Sequence, residues 1–235
     1  VRKKTAAPSD TPVMTLDPER AKPPLTQRDL GKLQRREQIL DAAERMFAEV
    51  GISACSMDQV ARAADISRPL LYVYFRDKQA LQQGVGLRAL EQLLRHFEAA
   101  SASETLGLRK VLAIGKAYVA FANEEPNRFA VLSMCEAQVA DSRVLDPQVL
   151  QMVEVGGRVH QQTAMALKAG MQDGSIRPDL LDLDMVSRTL WALVHGSIQL
   201  AQTKRAVIEG AGNTVESFFQ CSMDFAMQAL VRRGD

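Results

Sequence analysis

The sequence predicts an all-α fold, and three observations predict it. Apolar residues recur at three- and four-residue spacing in one segment after another; no two-residue alternation is long enough for a sheet; and capping and stop residues stand where the periodic segments begin and end. The 235 residues, 46% hydrophobic and 24% charged, suffice for one large domain or two unequal ones. A formal net charge of +1 means that any basic footprint for nucleic acid is local. Cys55, Cys135 and Cys221 lie far apart without a CxxC pair, which argues against a zinc site or a disulfide framework and fits a reducing cytosol. Without a long apolar run or a signal-peptide core, the chain is expected to be cytoplasmic, with no membrane contact.

Residues 1–32 carry five prolines and seven basic against four acidic residues, with little apolar periodicity. This segment is expected to be a disordered tail, either merely solvated or touching phosphates. From Gln34, the residues Ile39, Ala43, Met46, Phe47 and Val50 keep helical spacing up to Gly51, a stop. Ser56 offers a cap to a short second helix, with Val60 and Ala64 facing inward. Asp65-Ile66-Ser67 makes a turn, and Ser67 caps a third helix with Pro69 in its first turn, where a missing N–H costs little. A longer helix follows from about Asp77, its apolar side marked by Leu81, Val85, Leu90, Leu94 and Phe97.

Farther on, Ser101 and Glu104 have capping-box spacing, which predicts a helix from there to the Asn123–Glu125 region, broken by Pro126. A shorter helix covers about 127–140. Asp146-Pro147 opens another, ending near Gly170, and 171–182 reads as a loop. The last two segments, 184–203 and 213–233, the second capped by Asn213 and Glu216, are apolar over most of their circumference. Helices of that kind are buried on most faces, so a second copy of the chain is the simplest cover, with burial inside one protomer as the alternative.

In the third helix, Leu71 and Phe75 are four apart and point into a small core with Ile66, Val60 and Phe47. Arg68, Pro69, Leu70 and Val73 then lie on the other surface. Arg68 can donate to guanine O6 and N7 or to phosphate, Leu70 and Val73 can press on thymine methyl groups, and Tyr72, Tyr74 and Lys78 can reach the phosphate backbone. From spacing alone, an ordinary helical hairpin with aromatics in its core remains open. Residues 35–85 also resemble the DNA-binding domain of TetR-type transcriptional regulators: helix one ends in F-x-x-x-G, a helix-turn-helix follows, and then Leu-Tyr-x-Tyr-Phe and a Lys-x-x-Leu helix start. The resemblance implies a homodimer whose recognition helices enter the major groove of a palindromic, double-stranded operator, released when a small molecule binds the larger domain. It places Ser56, Arg68, Pro69, Leu70, Tyr72, Val73, Tyr74 and Lys78 at or near DNA. Two positions depart from the family pattern: Asp65 stands where the turn usually has glycine, and Asp58 where a polar or basic residue is common. Asp65 is expected either to strain the turn or to take a left-handed geometry. Asp58 either accepts from cytosine N4 or is a solvated acid at a helix start.

Residues 173–201, with Trp191, His195 and Gly196, are similar to a W-x-x-x-H-G subgroup of TetR-type C-terminal domains, which are effector-binding and dimerising modules. His195 follows Trp191 by one turn, so the two side chains can meet, either as a core pair or as the polar handle of an apolar pocket. Tyr118, Phe121, Phe129, Met134 and Met165 are further candidates for core or for an adaptable cavity taking an apolar or amphipathic effector. His96, His160 and His195 lack metal-ligand spacing, and no GxSxG or HExxH occurs, so no catalytic residue, metal or cofactor is expected. The expected organisation is a tail (1–32), a three-helix helix-turn-helix domain (33–83) and a larger helical bundle for effector binding and dimerisation (84–235). The function expected is that of a ligand-responsive repressor; a helical binding or scaffold protein that keeps the helix-turn-helix only as packing is the alternative.

Overall fold

A computed structural model of the chain describes residues 26–141, 146–210 and 212–231. Ten helices and no strand form among them: α1 (Gln27–Val50), α2 (Met57–Ala63), α3 (Arg68–Tyr74), α4 (Lys78–Ala102), α5 (Gly107–Glu124), α6 (Pro126–Asp141), α7 (Pro147–Asp173), α8 (Leu183–Thr203), α9 (Arg205–Glu209) and α10 (Val215–Leu230). Two units divide the chain: residues up to Arg35, with the first turns of α1, and residues from Arg36 onward, with all the other helices.

Helix α1 begins seven residues before the expected Gln34, because Thr26 and Asp29 cap each other. The Asp29 N–H donates to Thr26 Oγ1 at 3.2 Å, and the Thr26 hydroxyl donates back to the Asp29 carboxylate at 2.6 Å. The expected disordered tail is therefore corrected for 26–32; residues 1–25 lie outside the described residues. The caps of α2 and α3 are those expected. Ser56 and Gln59 form a reciprocal capping box, and Ser67 Oγ accepts from the Leu70 N–H at 3.3 Å. Asp65, at φ +52°, is the one non-glycine with positive φ among the described residues, so the turn takes the left-handed form. Ile39, Leu40, Phe47, Val60, Leu71 and Phe75 close the head core, with Ile66 packed against it. Burying Leu71 or Phe75 stabilises it by about 1.5–3 kcal/mol each.

Helix α4, capped by Asp77, runs unbroken from this head into the body, so the expected division at 83/84 falls inside a continuous helix. It packs against α5, α6 and α7, and α8 and α10 close the other side. The expected start of α5 at Ser101 is overturned: Ser101 belongs to the last turn of α4, and α5 starts at Gly107. Its first amides are capped from afar, the Gly107 N–H donating to Asp173 Oδ2 at 2.7 Å and the Leu108 N–H to Ser175 Oγ at 3.1 Å. Pro126 opens α6, and Asp146-Pro147 opens α7 as expected. The cap of α10 is Thr214 with Ser217, one residue past the expected Asn213. Helix α9 was not anticipated. Among the described residues no helix is long and apolar enough to cross a membrane.

Candidate functional site

Two places carry polar or apolar groups that folding alone does not require: the outer edge of α3 and a cavity in the body. Along α3, Arg68, Pro69, Leu70, Tyr72 and Val73 are exposed, Val73 to 78%, while Leu71, one position from Leu70, is fully buried. An exposed Leu-Val pair on a seven-residue helix exposes apolar surface that the head core leaves uncovered. Asp58 is exposed in the first turn of α2, the second of its two expectations; its carboxylate also pairs with Arg68 Nε at 3.0 Å, and the Arg68 guanidinium lies 5.7 Å from the centre of the Tyr72 ring. An acid on α2 and an aromatic on α3 thus hold the guanidinium at the exposed edge.

Ser56 is exposed but spent on its capping box. Tyr74, three residues past Leu71, is half-buried and packed against the head core. Lys78 is also half-buried, its ammonium donating to the Ser53 carbonyl at 2.7 Å across the α1–α2 loop. Lys78→Met is expected to weaken binding to every duplex by a similar factor and to lower the slope of log affinity against log salt by about one. Loss confined to one sequence, in a mobility-shift series at two salt concentrations, would place Lys78 on a base instead.

Head and body are joined by a charged cluster. Arg128 of α6 reaches Glu44 of α1 at 2.8 Å and the Gln92 side-chain oxygen of α4 at 2.6 Å. Arg88 of α4 reaches Asp41 at 2.7 Å and Glu44 Oε1 at 3.5 Å, so the buried Oε1 and Arg88 Nη1, without a hydrogen bond, still have each other as an ion pair. Hydrogen bonding to Glu44 is the main cause that raises the Arg128 pKa, which keeps the group charged. A second tie lies at the start of α7, where Asp146 pairs with Arg76 at 2.8 Å and the Gln148 amide donates to the Ala80 carbonyl.

The cavity lies among α4, α5, α7, α8 and α10. Tyr118 and Trp191 line it, with His160 and Thr163 of α7, Gly115 of α5 and Met223 of α10. Trp191 Nε1 donates to Tyr118 Oη at 3.4 Å, since an indole nitrogen only donates, and Tyr118 Oη lies 2.8 Å from His195 Nδ1 in a hydrogen bond. Phe129 packs beside both with tilted rings, 5.8 Å from Tyr118 and 5.5 Å from His195 between ring centres. Of the residues expected there, Phe121 and Phe129 are buried core rather than lining, and Met134 is half-buried away from the lining. Met165 is 57% exposed, because on α7 it stands one residue before the buried Ala166 and points outward. His160, Thr163, Gly115 and Met223 were missed; only their arrival from three separate helices makes them neighbours.

Burial holds His195 below the ordinary imidazole pKa, and burial followed by the charge of Arg188 does the same for His160. A base with a depressed folded pKa favours the native state above its unfolded pKa near 6.5 and loses that contribution as pH falls below it. The thermal midpoint is therefore expected to fall between pH 7.5 and 5.5, less steeply in His195→Gln. A midpoint that rises on acidification contradicts this.

The sequence matches the family model described as "Bacterial regulatory proteins, tetR family" over residues 39–85 and that described as "Tetracyclin repressor-like, C-terminal domain" over 111–225. It is 29% identical over 166 residues to the HTH-type transcriptional repressor KstR2 of Mycolicibacterium smegmatis, covering 68% of this chain and 78% of that protein. To the HTH-type transcriptional activator FasR of the same organism it is 28% identical over 122 residues, about half of each chain. The solved structure of the ketosteroid transcriptional regulator KstR2 of Mycobacterium tuberculosis superimposes with a TM-score of 0.60 at 22% identity, covering 85% of this chain and 96% of that one, which shows a shared fold.

Proposed function

Because the chain belongs to the tetR family of bacterial regulatory proteins, we propose that this transcriptional regulator represses its target genes from the cytoplasm, as a homodimer on a palindromic operator. Residues 33–83 read the DNA and residues 84–235 bind the effector and dimerise. The observation that carries the reading is the outer edge of α3, where Arg68, Leu70 and Val73 are exposed beside a buried Leu71. Arg68 is assigned to a guanine, Leu70 and Val73 to thymine methyl groups, Tyr72, Ser56 and Pro69 to the backbone nearby, and Asp58 to holding Arg68. Tyr74 and Lys78 are assigned to phosphates beside it, Lys78 from its place against the Ser53 carbonyl. Repression follows from exclusion of polymerase.

Dimerisation is assigned to the segments 184–203 and 213–233, supported by Met185 and Leu200 on α8 and Phe225 on α10, all exposed, Phe225 to 68%; residues 232 and 233 lie outside the described residues. The cavity lined by Tyr118 and Trp191 takes the effector. Phe129, which packs on Tyr118 and His195, is next in sequence to Arg128, which grips Glu44 of the head. Expansion of the cavity moves α6, loosens that grip and alters the separation of the two heads, so operator and effector weaken each other reciprocally. Mobility shifts on the DNA upstream of its own gene, with and without candidate ligands, test the reading. Unchanged operator affinity for a ligand bound in the body defeats it.

A further inference from the structure

The effector cavity shares one wall with a second hollow, and that wall is a methionine. On the far side of Met223 an open groove lies between α5 and the α9–α10 segment, lined by Lys116 and Asn123 of α5, Arg205 of α9, and Glu216, Phe219 and Gln220 of α10. Met223 lines both spaces. Opposite it stands Gly115, where an added Cβ would meet the Met223 sulfur at 3.0 Å and its methyl at 3.2 Å. The thioether therefore fills the place of the side chain that Gly115 lacks. It is unbranched and flexible, and can swing aside without moving backbone.

The two hollows differ in size and charge. The cavity measures about 50 Å³ and the groove about 530 Å³. The first holds only a few waters, well below the several hundred Å³ of ordinary ligand pockets, so an occupant has to displace Met223. No Lys, Arg, Asp or Glu lines the cavity. A charged group placed there would be desolvated without a partner. The groove has two cations and one acid. Arg205 already shares its charge with Glu209 at 3.2 Å, while Lys116 is exposed and makes no ion pair among the described residues.

We propose that the effector is an amphipathic anion: an uncharged apolar body enters the cavity, Met223 swings out, and a carboxylate or phosphate end rests in the groove on Lys116 and Arg205. This rests on the cavity being the effector site. Trp191 lines the cavity and is the chain's one tryptophan, so its fluorescence reports occupancy directly. Full-length protein is titrated with decanol and with decyl phosphate, both below micellar concentrations, in the parent protein and in Lys116→Glu, an exposed substitution. The expected result is about fivefold tighter binding of decyl phosphate by the parent, a preference lost in Lys116→Glu and at high salt. Equal binding of the two probes by the parent, or a preference that survives in Lys116→Glu, overturns the anionic end while leaving the effector site standing. Absence of any change at Trp191 with either probe overturns both together.

Discussion

Arg68→Ala is expected to raise the Kd for a selected operator about ten- to a hundredfold and to erase the preference for one base pair in each half-site. The guanidinium is exposed at the α3 edge, oriented by Asp58 at 3.0 Å and by the Tyr72 ring. In the proposed contact, a bidentate pair with guanine uses that orientation, which the pairing with Asp58 sets in the unbound protein. Asp58→Asn keeps the shape and removes the charge, so it should lose part of the discrimination while phosphate binding, freed of an acid, strengthens. Binding measured on the operator and on duplexes altered at single pairs separates the two effects. Equal losses on every duplex for Arg68→Ala would make it a phosphate contact.

Gly107→Ala is expected to destabilise the fold by about 3 kcal/mol or more, at the upper end for overpacking. A Cβ at Gly107 would lie 2.0 Å from the Gly170 nitrogen and 2.6 Å from the Ala166 carbonyl oxygen. Those atoms are backbone of α7, so no rotamer change relieves the clash, and α5 has to move off α7. That movement also pulls the first amides of α5 away from Asp173 and Ser175. Gly157→Ala makes the contrast, since open space surrounds Gly157 on the exposed side of α7. It is expected to stabilise by roughly 0.5–1 kcal/mol through helix propensity alone. Urea unfolding of the two variants tests the pair, and similar midpoints would show that α5 and α7 do not depend on this close approach.

The head was legible because its information is local. Ser56, Ser67, Asp77 and the Asp146-Pro147 pair each cap a helix within three residues of themselves, and Leu71 and Phe75 reveal the inner face of α3 by their spacing. The start of α5 was illegible for the opposite reason, since its caps come from Asp173 and Ser175 on another segment, while Ser101 and Glu104 imitate a local box. The pairing of Asp58 with Arg68 was not legible because the two lie ten residues apart across a turn. Tyr74 shows the limit of helical spacing on two turns, where the boundary between faces passes through a single side chain. In the body, apolar periodicity marks what is buried without distinguishing lining from core. Phe129 and Trp191 look alike in sequence, yet one lies in the packed interior and the other borders the cavity.

Whether the outer edge of α3 meets base pairs is read by guanine N7 methylation interference. Operator duplexes selected from random sequence by the full-length protein are methylated sparsely, and bound and free fractions are compared for the parent and for Arg68→Ala. Symmetry-related guanines are expected whose methylation blocks the parent, one pair of which no longer matters to Arg68→Ala while the rest still do. The same interference pattern for both proteins, or none in the parent, would contradict that contact.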